Sequence, residues 1–424
     1  MFLSSDIHSW PLHSVVYSIP YLLLGLIIIL IGYSQVFGDV YEIIKIRFVR
    51  QFKKGYIENN RFVRVLSLVK TSHSKQLSLW QATILFLILL LFFGLRWHIL
   101  SDTLAYEKEF YTFTANFSWK YIEVHSWWWD KGFVIFAMLC KMINSDFFFF
   151  VFVNSFVDGA LLVLCLKKYK VNVPIVLLAF LAFQGILMEF NNLRNIKAIL
   201  LFIYSLSYIK ERKLLRFLFV NILGFTFHSS ALLFFPMYWV LNRKYSIKFL
   251  LLVLGAITVI YLANINILQD YLMSLALSDD NVAVKKVAYY LTTSKESVLS
   301  IGFVERLLTM VLVLNVYRKQ KAASFNLIVA NMFFVFYILY AIFGFNVVFR
   351  DRIPYLFICS YWLSYPYLFD YFGRKGSLYK FAFLFLFFGK ICLSTSICSA
   401  YYETVFFHET TRAQRQYLND RLSY

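Results

Sequence analysis

Four groups of residues in this chain are of types that could handle an anion or move a proton. Three of them carry cations or an imidazole: Asn191-Asn192-Leu193-Arg194, Phe227-His228-Ser229-Ser230-Ala231, and Arg350-Asp351-Arg352 ahead of Pro354 and Tyr355. A guanidinium stays charged and presents a planar fork that grips phosphate at two points. The fourth, Arg96-Trp97-His98-Ile99-Leu100-Ser101-Asp102 followed by Tyr106, adds a carboxylate able to accept a proton from a sugar hydroxyl. Each group has a structural alternative. Asp102 can cap a helix, Arg194 can pair with Glu189, His228 can mark a hydrogen-bonded helix break, and Asp351 can neutralise one of its two arginines.

The elements that must position these residues are hydrophobic. Sixty per cent of the 424 residues are hydrophobic, only 15% are charged, and mean hydropathy is +0.66. A soluble domain could not hide that much apolar surface, so the composition predicts an integral membrane protein. With 48 Phe and 30 Tyr, the chain suits lipid-facing helices with interfacial aromatics. The net charge of +19 is read as loop lysines and arginines that set orientation, not as a nucleic-acid surface.

Apolar runs near 15–36, 80–99, 147–166, 172–189, 195–210, 248–268, 301–317, 324–345, 353–371 and 377–398 predict membrane spans. The shorter runs 131–143, 214–227 and 228–241 are read as interfacial or re-entrant. The expected fold is an all-α polytopic transmembrane bundle of about 10–12 spans, one domain over residues 1–424. Basic residues at 45–75, 167–170, 210–216, 243–248, 318–321 and 374–380 mark the cytoplasmic side. The N-terminus, the 100–130 and 269–300 loops and the C-terminal tail then face outward, as do the Arg194 and Arg350/Arg352 loops. The basic stretch 37–79 is expected to form amphipathic helices on the inner leaflet.

Other chemistries find no support. Asp158 lies towards the inner half of a span, where an acid usually pairs with a base or lines an interior. Asp279-Asp280 is the only adjacent acidic pair in a loop. There is no Asp-x-Asp metal motif, zinc spacing, Walker loop or serine-hydrolase elbow, so no metal and no cofactor is expected. Cys140, Cys165, Cys359, Cys392 and Cys398 show no metal spacing and read as small buried residues.

The ordered set of motifs resembles the EpsG-like branch of the Wzy-type polysaccharide repeat-unit polymerases. Arg96-Trp97, Asp102 and Tyr106 keep that family's spacing, with Leu100 standing where the pattern has glycine. Asp130-Lys131-Gly132-Phe133 resembles its acid before a Gly-aromatic short helix. Leu193-Arg194-Asn195-Ile196-Lys197-Ala198 resembles an Arg-Gln-x-x-Ala helix start, with Asn for Gln. Phe227-His228-Ser229-Ser230-Ala231-Leu232 resembles its His-Ser-Ser/Ala signature, and Arg352 with Tyr355 a late Arg before an aromatic span. The resemblance covers roughly residues 85–370.

It implies a membrane glycosyltransferase, acting at the periplasmic face of a bacterial inner membrane. Such an enzyme joins oligosaccharide repeat units carried on undecaprenyl diphosphate, with a chain-length regulator and a flippase as partners. Asp102, Arg194, His228 and Arg352 are the expected catalytic residues, lining one outward cavity. Arg96, Tyr106, Asn192, Arg350 and Tyr355 are expected to bind substrate. The alternatives are another membrane glycosyltransferase or O-antigen ligase, a lipid-linked oligosaccharide flippase, and a membrane acyltransferase. A flippase should show two halves of similar hydropathy, which this chain lacks.

Overall fold

The computed structural model describes residues 7–34, 78–125, 129–169, 171–263, 274, 301–319, 324–344, 346, 349 and 352–421. The amphipathic segment expected at 37–79 (apart from its last two residues), nearly all of the 269–300 loop, Arg350 and Asp351 lie outside them. The helices in chain order are α1 (Ile19–Gly32), α2 (Leu79–Gly94), α3 (Ser101–Thr112), α4 (Trp119–His125), α5 (Lys131–Ile143) and α6 (Phe147–Tyr169). Then come α7 (Val173–Phe180), α8 (Ile186–Asn191), α9 (Asn195–Lys210), α10 (Leu214–Phe227) and α11 (Ile247–Leu262). The last are α12 (Ile301–Tyr317), α13 (Phe325–Phe343), α14 (Cys359–Gly373), α15 (Ser377–Thr395) and α16 (Arg412–Asp420). Among the described residues there is no strand, only the isolated bridges His13–Ile397 and Arg96–Thr404.

The protein is an all-α membrane protein. Helix occupies each of the ten expected runs. Among the described residues, five helical segments reach full span length with high hydropathy: Val15–Gly32, Phe147–Tyr169, Val173–Asn191, Phe325–Phe343 and Ser377–Thr395. Leu79–Gly94, Leu214–Phe227, Ser229–Val240 and Ile247–Leu262 are apolar but shorter. The expected 100–130 loop is itself structured, since it carries α3 and α4.

The described chain forms two compact units interleaved in sequence. The first comprises Met1–His125, Val134–Leu193 and Tyr365–Tyr424, and the second Ser126–Phe133 and Arg194–Ser364. In the first unit α1 packs on α7 and α15, and α2 packs on α6. Its spans differ in what they face. Val173–Asn191 is 83% buried, whereas Ser377–Thr395 is 22% buried and exposes Leu378, Phe381 and Phe385. A helix apolar on every side needs either protein or lipid around it, and α15 is suited to lipid. The Val173–Asn191 stretch breaks between α7 and α8, where Gln184 adopts φ 65°. Freed backbone groups at such depth are tolerated only inside protein, which matches its burial.

In the second unit α9 lies along α10. Gly224 faces the Ala198 backbone, which lies 3.4 Å from where a Cβ would stand, an ordinary contact distance. Asn221 Nδ2 donates to Ser205 Oγ at 2.9 Å across the same pair. Helix α13 packs against α9, α11 and α12, and Asn331 Nδ2 donates to the carbonyls of Leu241 and Arg243 at 2.8 Å each. Helix α10 stops at Phe227, and His228 is extended (φ −155°) before a tight helical turn over Ser229–Phe234.

Candidate active site

In the second unit Asp130 organises a polar cluster. Its Oδ2 accepts from Arg194 Nη1 at 2.9 Å, and its Oδ1 accepts from the Ser229 backbone N–H at 2.8 Å. Gly132 makes this reach feasible: a Cβ there would lie 2.5 Å from Thr226 Oγ1 and 2.8 Å from the Thr226 carbonyl. Only a residue without a side chain lets the start of α5 approach α10 so closely. Arg194 sits at the N-terminus of α9, with its guanidinium 4.6 Å from the centre of the Trp129 ring. The side chain is 22% exposed, and its Nε is buried with no hydrogen-bond partner among the described residues.

His228 caps the turn that follows α10. The Ser230 backbone N–H donates to His228 Nδ1 at 3.1 Å, and the Ser230 hydroxyl also lies against Nδ1. An amide can only donate, so Nδ1 carries the lone pair and the neutral ring holds its proton on Nε2. His228 therefore presents a donor at its far edge. Asn195 Oδ1 accepts from the Ser230 hydroxyl at 3.4 Å. Arg194 and Arg352 are the charged groups that act on the imidazole. Arg352 is exposed, and Tyr355, in the Pro354–Phe357 turn, is buried. Asp130, Arg194 and His228 are thus brought together, with Arg352 near enough to influence the ring.

Asp102, Arg96, Tyr106 and Asn192 belong to the first unit. Asp102 lies exposed in the first turn of α3, where its carboxylate accepts from the Ser101 hydroxyl at 3.1 Å and its N–H meets Asn191 Oδ1 at 3.4 Å. The residue before this helix, Leu100, has φ 62° and ψ 171°. That region is nearly exclusive to glycine and costs about 1–3 kcal/mol for other residues. Arg96 is fully buried: its Nη1 donates to the Phe93 carbonyl at 2.5 Å, and the guanidinium stands 4.9 Å from the Phe190 ring. Glu189 and Asp158 are the carboxylates that act on it. Arg96 serves the interior of the unit, and the carboxylate that Arg194 bonds is Asp130. Tyr106 is buried, and Asn192 is half-buried at the C-terminus of α8.

A second network in the first unit ties α3 to α16. Glu107 Oε2 accepts from Arg412 Nε at 2.6 Å, and His98 Nε2 lies 3.1 Å from the same oxygen. Burial pushes the Glu107 carboxyl up, but bonds from His98 and Arg412 outweigh it and hold it below its usual range.

Two functional-looking groups lie outside the loop arginines and the imidazole that the charge pattern marks. One is Asp130, visible in the letters only as part of a motif. The other is Glu305 with Arg306, whose signal is charge on an apolar span. Glu305 accepts from Thr309 at 2.9 Å and Tyr361 at 3.3 Å, and Arg306 stacks 4.0 Å over the Tyr340 ring. Among the described residues no three His, Cys, Asp or Glu side chains are grouped to hold a metal ion.

No curated protein and no solved structure matches this sequence. A family model does, that of the EpsG family, over residues 79–407. The match runs from the start of α2 past the end of α15, taking in the Asp130–Arg194–His228 cluster and Asp102 alike. The chain therefore belongs to the EpsG family, a family of polysaccharide-polymerase-like membrane proteins.

Proposed function

We propose that the protein polymerises oligosaccharide repeat units carried on undecaprenyl diphosphate, at the periplasmic face of the bacterial inner membrane. In this reading an acceptor sugar hydroxyl attacks the anomeric carbon of the donor. A glycosidic C–O bond forms, the C–O bond to the diphosphate breaks, and undecaprenyl diphosphate leaves with the electron pair. Negative charge gathers on the leaving group in the transition state, where preorganised donors stabilise it most. Arg194 and Arg352 hold the diphosphate, His228 contributes its Nε2–H, and Arg350 stands in reserve. Asp102, an exposed carboxylate on a polar helix, is assigned by its chemistry as the base that takes the hydroxyl proton. Tyr355 and Asn192 are assigned to substrate contact.

The observation that carries this reading is the state of Arg194. Asp130 fixes the guanidinium through one nitrogen and leaves its Nε donor unused beside the His228 turn. Arg96 also leaves nitrogens unpartnered but is sealed inside its unit, whereas the Arg194 side chain is 22% exposed and open to a ligand. The test is polymerisation of lipid-linked repeat units by the purified chain in nanodiscs. Arg194→Ala and Arg352→Ala should each abolish chain growth at normal expression, and wild-type growth by both would refute the diphosphate assignment. In cells, deletion of the gene should leave single repeat units or none on the surface glycan. Units trapped on the cytoplasmic leaflet would identify a flippase instead. Cysteines at Ser101 and Phe407 should label from outside and one at Lys319 should not, and the reverse would overturn the periplasmic placement.

A further inference from the structure

The C-terminal helix α16 lies beyond the family-matched residues 79–407, yet it reaches the turn that launches Asp102. Leu100, two residues before Asp102, holds a backbone conformation that side chains rarely adopt. Both of its backbone polar groups are bonded to the C-terminal segment. Its N–H donates to the Ser399 carbonyl at 3.1 Å, and its carbonyl accepts from Asn419 Nδ2 on α16 at 3.3 Å. Asn419 and Leu100 are both buried, so these bonds do not compete with water. The Arg412–Glu107 pair fixes α16 to α3 one turn further on.

We propose that α16 is a positioning element for Asp102, with Asn419 clamping Leu100 in its strained turn and so setting the start of α3. Strain at a non-glycine residue persists only where surrounding contacts over-determine it, and here two bonds from one distant segment do so. Asn419 touches neither substrate nor reacting atoms; it acts through the backbone of residues 100–102. The inference rests on Asp102 acting in the reaction, and its test separates the two ideas.

The experiment is a double-mutant cycle in the full chain, in nanodiscs, with Asn419→Leu, Leu100→Gly and the pair. Turnover of lipid-linked repeat units is measured together with hydrogen exchange over residues 99–104 in the absence of substrate. Asn419→Leu should lower kcat about tenfold, roughly the loss of one buried hydrogen bond, with KM little changed. It should also speed exchange across 99–104. Glycine at 100 removes the strain, so in that background Asn419→Leu should change neither kcat nor exchange appreciably. Leu100→Gly loses a buried side chain and lowers thermal stability, which is why each Asn419 effect is compared within one background. An Asn419→Leu effect of equal size in both backgrounds would overturn the proposal, since it would report a general structural contact. So would unchanged exchange in Asn419→Leu. Faster exchange with wild-type turnover would also overturn it, and full activity in Asp102→Asn would then trace the failure to the base assignment rather than to the clamp.

Discussion

Arg194 and Arg415 each pair with a carboxylate, and the pairs are built in opposite ways. Arg415 has only 1% of its side chain exposed and spends all three nitrogens on the protein: Nε on Thr410 Oγ1 at 2.7 Å, Nη1 on the Tyr401 carbonyl at 2.8 Å, and Nη2 on Glu403. Glu403 is equally occupied, since it also accepts from the Glu409 and Thr410 backbone amides and the Thr410 hydroxyl. Arg194 is 22% exposed, bonds Asp130 through one nitrogen and keeps Nε unpartnered. A saturated pair locks structure, because every guanidinium nitrogen already has an acceptor. An under-used pair holds a cation in place while leaving donors for something else. Both pairs look alike as letters, and the difference lies in how many bonds the surroundings supply.

The comparison breaks first if Arg415 is dispensable. Arg415→Met removes one member of a buried pair and strands Glu403, which should cost about 3–5 kcal/mol of stability. Thermal unfolding of the purified protein should show a clearly lowered midpoint, and an unchanged midpoint would end the claim that this pair is a clamp. Next in size is Arg194→Lys, which keeps charge but loses the planar fork. Turnover should fall about a hundredfold, equivalent to about 2–4 kcal/mol of transition-state stabilisation, while the unfolding midpoint stays near wild type. A large stability loss with normal turnover would make Arg194 a second Arg415.

The role of His228 gives a smaller effect. If its Nε2–H is a donor, His228→Gln retains a donor of similar reach and should be about tenfold more active than His228→Ala. Equal inactivity of the two variants would point to proton abstraction by the ring. The smallest effect concerns acid. The Glu107 carboxyl titrates lower in the folded protein than in an unfolded chain. Its stabilising contribution is therefore complete above the unfolded value of about 4.3 and is lost as pH falls through the depressed folded value. Unfolding midpoints of wild type and Glu107→Gln should stand a constant gap apart at neutral pH and converge below about pH 4, as the wild type loses that contribution. A gap that persists unchanged into acid would show that Glu107 is not ionised as its contacts require.

Much of the cluster was legible because intramembrane charge is conspicuous. Arg194, His228 and Arg352 interrupt apolar runs, and a cation or imidazole in such a setting is costly unless something holds it. The motif Asp130-Lys131-Gly132 was visible, but its purpose was not. Nothing in the letters says that Gly132 lets Asp130 reach Arg194 and the Ser229 amide, sequence separations of 64 and 99 residues. Arg96 shows the reverse case. As a string, Arg96-Trp97 beside Asp102 suggests an outward binding site, and only packing reveals a guanidinium enclosed against Phe190.

By itself the sequence determined the class of molecule and the outline of its helices. Those follow from local quantities: runs of apolar residues long enough for a bilayer, and the basic loops between them. It also settled which residue types were available for anion chemistry. Tertiary structure alone decided which arginines are spent and which retain donors, because hydrogen-bond saturation depends on partners far away in the chain. The same holds for Leu100, whose glycine-like turn is written nowhere in residues 95–105 and is held by Ser399 and Asn419. Local propensity cannot encode a strained conformation, since strain survives only where distant contacts outweigh it.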